Sequence, residues 1–185
     1  MIKHTIIALL IGILVFVVYL TNYLGAFQGV KISEGVAPTF HLLGRDHVGP
    51  YHKIVSEIEE VEAWAKVHAV DCSQSFGLYF DDPRSTEQER LKSFGGCWVS
   101  EQALPALPEG FRILDWTAPY FVKAIFEGSP SIGPMKVYPK VEEEIISKHL
   151  RRLPGTLEVY VVHTQKEMTT TYYFPVARPE GAVEH

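Results

Sequence analysis

TLEVYVV, residues 156–162, sets an acid in the middle of a strand-forming run. Val159, Val161 and Val162 are β-branched and Tyr160 is aromatic, residue types that suit a pleated, half-buried surface. Glu158 therefore either looks out at water from one face of a strand or is held inside for a purpose. The segments around it bear on the choice.

Before this strand come two extended segments, FRILDW (111–116) and APYFVKAIFEG (118–128), and a loop, SPSIGPM (129–135). Pro139 suits a first helical position. Glu142 to Glu144 open that helix and Lys148 to Arg152 close it, the charge order a helix dipole favours. After TLEVYVVH, a turn at TQKE (164–167) leads to a last strand, TTTYYFPVA (169–177). The first half of the chain runs in the same order. APTFHLLGRDHVG (37–49) is extended, and Ile54, Ile58, Val61 and Ala65 then mark one face of a helix. Residues 72–75 break the pattern, FGLYF (76–80) is a strand ending in the turn former DDP (81–83), and GGCWVS (95–100) is another strand. Gly49 to Gly128 is an offset of 79 and Tyr79 to Tyr160 one of 81. Each half reads strand–helix–strand–strand, and two such units with one apolar sheet face each pack around a shared core. ALPALPEG (103–110) is a linker too short to separate independent domains.

The amino end is different in kind. Residues 5–20, TIIALLIGILVFVVYL, carry no charge, and the uncharged stretch continues to Lys31. A bilayer-spanning helix needs about 20 mainly apolar residues, which 5–27 supply. Tyr19, Tyr23 and Phe27 fall where an interfacial aromatic belt lies. A cleaved signal peptide has a shorter apolar core and small residues at its cleavage site. We read an uncleaved single-pass anchor over 1–28, a domain over 29–178 with units at about 30–102 and 110–178, and a frayed tail at 179–185. Lys3 favours the amino end inside, while Lys31 and Arg45 nearly cancel that bias.

Composition narrows the function. Seventeen Lys and Arg stand against 22 Asp and Glu, a net charge of −5. No basic cluster forms a phosphate-binding face, so nucleic acid is not an expected partner. Cys72 and Cys97 are too few for a disulfide scaffold or a zinc site, and either pair with each other or lie buried as thiols. No nucleophile elbow, P-loop or zinc-ligand spacing occurs, and no cofactor or metal is expected. Asp81 and Asp82 belong to an Asp-Pro turn.

The ordered set of HVGPY and FEGSP before the helices, LYFDDP followed by FGGCWVS, and LEVY before YYFPVAR resembles the GyrI-like superfamily of small-molecule-binding domains. With the apolar amino end, it is most similar to a membrane-anchored branch that includes a mammalian ER-phagy receptor. The resemblance implies an α+β fold, a tandem pseudo-twofold βαββ repeat, with a ligand cleft between the units. It also implies an acid in that cleft on the LEVY segment, which points to Glu158. Aligning Tyr79 with Tyr160 puts Gly77 opposite Glu158, so only one unit carries the acid. The receptor's long tail with its peptide motif is not matched by the seven residues after Arg178, and an apolar segment stands where the family's transcription regulators have DNA-binding helices.

Around Glu158, the expected cleft aromatics are Tyr160, Tyr79, Tyr51 in HVGPY and Trp98 in GGCWV. His47 beside the first glycine turn reads as a strand-end histidine. The leading function is a membrane-tethered domain that binds a small apolar or cationic molecule by area burial, cation–π contact and one charge pair. One alternative is a small-molecule hydrolase with Glu158 as general base. Another is a membrane-tethered protein-interaction adaptor with a vestigial cleft, which a cleft filled by the protein's own side chains would favour.

Overall fold

The computed structural model describes residues 2–100, 104–164 and 168–178. Helix α1 spans Ile2–Tyr23, and its stretch Lys3–Tyr23 is long and apolar enough to cross a membrane, with none of it buried against the domain. Strand β1 (Val30–Gly35) follows, then β2 (Phe40–Val48), a 3-10 turn at Tyr51–Ile54, α2 (Val55–Val67), β3 (Ser75–Tyr79) and β4 (Lys92–Trp98). The second half holds β5 (Phe111–Trp116), β6 (Tyr120–Glu127), α3 (Gly133–Ser147), the short β7 (Arg151–Arg152), β8 (Thr156–Val162) and β9 (Met168–Ala177).

The expected α+β tandem βαββ plan is the one the chain adopts. One antiparallel sheet runs β1-β6-β9-β8-β3-β4-β2-β5, with β7 added beside β9. The two units meet where β3 pairs β8. Across that junction Gly77 lies opposite Glu158 and Tyr79 opposite Thr156. The repeat offset of 81 also carries Gly77 onto Glu158, so the pseudo-twofold axis passes between these two residues.

Two features of the sheet were not read from the sequence. Val30–Gly35 is a strand, and it pairs with β6 of the other unit, while β5 pairs with β2. Each unit's leading strand thus completes the outer edge of its neighbour. The sheet also curls. Phe40 on β2 has its ring 4.8 Å from Tyr173 on β9, four strands away, a span of about 19 Å in a flat sheet. Phe121, Trp116 and Trp98 join Phe40 inside the curl. Both helices lie on the other, convex face: Val61 and Ala65 of α2 over Leu43 and Cys97, and Val137, Val141 and Ile145 of α3 over Val122, Ala124 and Phe174.

The helices end alike. Ala69 and His149, 80 residues apart, both take φ +54°, and the next amides close the same bond, Val70 N–H to Ala65 O at 2.9 Å and Leu150 N–H to Ile145 O at 3.0 Å. Their starts depart from expectation. α3 begins at Gly133 with Pro134 in its first turn, not at Pro139, which lies inside the helix. Gly133 has to be there, since a Cβ would stand 2.2 Å from the Tyr172 hydroxyl. Pro134, not Pro139, is thus the proline of the first turn, and the helix starts six residues earlier than expected.

The two cysteines are joined, with Cα atoms 5.2 Å apart. This bridge ties the segment after α2 to β4 and so belongs to the first unit alone.

Candidate functional site

Strand alternation decides what surrounds Glu158. On β8, Leu157 and Val159 point into the curl, so Thr156, Glu158 and Tyr160 point to the helix face. The same parity on β3 brings Tyr79 to that face, and on β9 Tyr172. These residues occupy the strip of sheet between α2, which packs over β2 and β4, and α3, which packs over β6 and β9.

Glu158 is 5% exposed. Its Oε1 accepts a hydrogen bond from the Tyr138 hydroxyl at 3.0 Å, and Oε2 one from Tyr160 at 3.1 Å. The Tyr160 and Tyr79 hydroxyls lie 3.0 Å apart, and the Tyr51 ring stands edge-on to Tyr79 with centroids 4.8 Å apart. Tyr51 is held in turn by the DDP turn, donating to Asp81 O at 2.7 Å and accepting from Asp81 N–H at 2.9 Å. A row of phenols therefore runs from the first unit to the acid in the second, and Tyr138 closes it from α3. Tyr79, Tyr138 and Tyr160 are half-buried, and their hydroxyls join Glu158 in one buried hydrogen-bonded row.

Burial pushes the Glu158 carboxyl up to about 7, against the opposing pull of the hydroxyls of Tyr138 and Tyr160. Burial and then the nearby Glu158 charge raise Tyr79, Tyr138 and Tyr160, and burial raises Tyr51 to about 12. The phenols therefore stay protonated and act as donors. The acid is poised to change charge near neutrality, with no cation among its hydrogen-bond partners in the described residues. Above Tyr138 lies Arg152, its guanidinium 5.7 Å from the ring centroid, but it is turned to Thr156 Oγ1 at 2.8 Å and to Glu142 at 3.6 Å.

Gly77 makes the arrangement fit. A Cβ there would stand 2.6 Å from the Tyr79 hydroxyl, so the bare glycine leaves the room into which the Tyr79 ring leans. Two side chains on the axis would also be direct cross-strand neighbours, about 4.5–5.5 Å apart at Cβ.

Four of the five expected residues, Glu158, Tyr160, Tyr79 and Tyr51, are brought together. Trp98 is not. Its parity on β4 is that of Phe94, so it points into the curl against Phe40 at 4.9 Å between centroids. Two further members, Tyr138 and Tyr172, were not anticipated. Tyr172 lies in the strand TTTYYFPVA two residues from Thr170, both hydroxyls buried without a hydrogen bond of good geometry. Pairing β8 to β9 places Tyr172 opposite Glu158, a register the sequence does not state. His47 lies apart from the cluster, 3.9 Å from Glu57 of α2. Asp81 accepts the Lys92 N–H at 2.7 Å and Asp82 pairs with Arg84 at 2.8 Å, so both serve the turn.

No family model and no curated protein matches the sequence. Solved structures match the shape. EcmrR in its complex with DNA superposes with a TM-score of 0.63 at 13% identity, over 81% of this chain, which spans 58% of that chain's length. The isolated C-terminal domain of EcmrR gives 0.62 at 13% identity, over 82% of this chain and 99% of its own. A hydrolase from Listeria innocua gives 0.56 at 12% identity, over 81% of this chain and 93% of its own. With the two βαββ units about one axis, these likenesses assign the chain the GyrI-like fold.

Proposed function

We propose that this protein is a membrane-anchored domain that binds a small apolar or cationic molecule between α2 and α3, with Glu158 as its charged anchor. The observation that carries the reading is a carboxylate buried under aromatic rings whose hydrogen bonds come from two phenols and not from a cation. A buried ionised acid is costly alone. A cation arriving over the rings of Tyr79, Tyr138 and Tyr160 supplies the missing charge and cation–π contact. The correspondence with the C-terminal domain of EcmrR supports a domain-scale binding module, and α1 supports the anchor and the resemblance to the membrane-anchored branch. The Cys72–Cys97 bridge favours an oxidising compartment for the domain, the side that Lys3 also favours against the opposing bias of Lys31 and Arg45.

The test is melting of the full chain in nanodiscs with tetraphenylphosphonium and an uncharged analogue of the same shape. The cation should stabilise the parent, and Glu158→Gln should weaken its binding about tenfold, the worth of a desolvated charge contact. Equal binding by parent and variant would remove the role given to Glu158.

A second reading has its own support. An acid held near neutrality by burial suits a general base, and one protein of this fold is a hydrolase. Turnover of electrophilic small molecules, lost in Glu158→Gln with the fold intact, would place it first.

A further inference from the structure

The helix cleft has an end that faces the anchor. Val162, at the end of β8, pairs with Met168 on β9, and the Met168 carbonyl accepts the Gly128 N–H at 3.1 Å. Next to it the Ser129 N–H donates to Leu24 O at 3.0 Å, directly after α1. Lys136 of α3 donates to the carbonyls of Ala26 and Gln28. The segment that leaves the apolar helix is thus stitched to the domain. Val162 lies two strand spacings, about 10 Å, from that stitch. A bilayer's polar layer is about 5–8 Å deep on each side, so this end of the domain sits at or just above it.

A groove of about 440 Å³ opens at the same end, lined by Tyr160, Val162, Val70, Glu62, Asp71 and Lys66 among others. That volume suits one ligand of small-molecule size. Two acids against one lysine bias its mouth towards cations. Val162 is 61% exposed at the rim. Tyr160 belongs both to this groove and to the site, because its ring lines the groove while its hydroxyl donates to Glu158.

We propose that the groove admits a single-chain amphiphile with a cationic amine head directly from the bilayer, its chain along Val162 and Val70 and its head over Tyr160. This rests on the anchored, cation-binding reading above and adds the ligand's class and route. The head reaches Glu158 when Tyr160 swings aside, and the stitched anchor keeps the mouth at the level where such molecules partition.

The experiment measures binding of labelled dodecyltrimethylammonium to the full chain in nanodiscs, with empty nanodiscs subtracted. Tetramethylammonium, dodecyl sulfate and tetraphenylphosphonium serve as comparisons. Dodecyltrimethylammonium should bind at least tenfold more tightly than either tetramethylammonium or dodecyl sulfate. Val162→Gln, an exposed and uncharged change outside the phenol row, should weaken the alkyl cation at least tenfold and leave tetraphenylphosphonium within twofold. Melting of this variant within a few degrees of the parent would establish that it folds. The double variant Glu62→Gln with Asp71→Asn gives a second test and should weaken the alkyl cation about tenfold. Should Val162→Gln bind the alkyl cation like the parent, or should the sulfate bind as well as the ammonium, the bilayer route is overturned. Retained tetraphenylphosphonium binding would then leave the broader reading standing, whereas failure of every cation to bind would remove both.

Discussion

Gly77 and Glu158 are the same position in two copies of one unit, and they differ as far as two residues can. Both sit on the pseudo-twofold axis, facing each other across β3 and β8. A residue placed there in both units would meet its own twin. Two glutamates would bring two carboxylates together in a buried place, where both cannot ionise. Two glycines would leave the middle of the floor empty. One of each allows a single acid, with Tyr79 filling the space beside it. The lesson is that a symmetric fold must break its symmetry on the axis to hold one charge, and the break is where chemistry can be placed.

Restoring the symmetry should therefore be the most damaging change. Gly77→Glu drives a side chain into Tyr79 and adds a second buried carboxylate. We expect a loss of about 4 kcal/mol or more at pH 7 in urea unfolding of the full chain in detergent. A variant as stable as the parent would mean that the axis is not packed as described.

The units also differ in their ties, since the first alone has a disulfide. Its cysteines are 25 residues apart, and opening such a loop costs about 3 kcal/mol on the chain-entropy account. Cys72→Ala with Cys97→Ala should lower stability by about that amount. Hydrogen exchange should quicken first in α2 and β4, with α3 and β6 less affected. Uniform loss across both units would show that they unfold as one.

Glu158 gives the comparison a pH signature. Its folded pKa of about 7 stands above the usual value of 4.5, so the folded chain holds a proton that the unfolded chain has released. Stability from this group is present below about pH 4.5 and is lost as pH rises towards 7 and beyond. Glu158→Gln should be nearly neutral at pH 4.5 and stabilising by about 2–3 kcal/mol at pH 8. A constant difference across that range would mean that the acid is solvated. Tyr138→Phe removes one donor to the carboxylate. It should cost about 1 kcal/mol and move the apparent pKa upward, because that hydroxyl favours the charged form.

Where the units agree, equal responses are expected. Ala69→Gly and His149→Gly each relieve a left-handed residue at a helix end and should each stabilise by about 1 kcal/mol. A gain at one site only would show that the two caps are held differently by their surroundings.

The sequence by itself determined the repeat, the apolar amino-terminal segment, the helix face of Ile58, Val61 and Ala65, and the placing of Glu158 on a strand. These depend on local periodicity and on the spacing of turns, which a chain carries along its length. The equivalence of Tyr79 with Tyr160, and of Gly77 with Glu158, followed from one offset, whereas their meeting across β3 and β8 came from the fold. Tertiary structure decided the rest. The exchange of β1 and β5 between units, the curl that joins Phe40 to Tyr173, and the register that sets Tyr172 against Glu158 are choices among pairings, and a strand's residues are compatible with several partners. Trp98 went to the other face because one step along β4 reverses a side chain, and the sequence showed the strand without fixing its parity against the helices. The start of α3 lies at Gly133, with Pro134 in its first turn, and the need for a glycine there comes from the hydroxyl of Tyr172, a contact 39 positions away in the chain that only the folded sheet brings about.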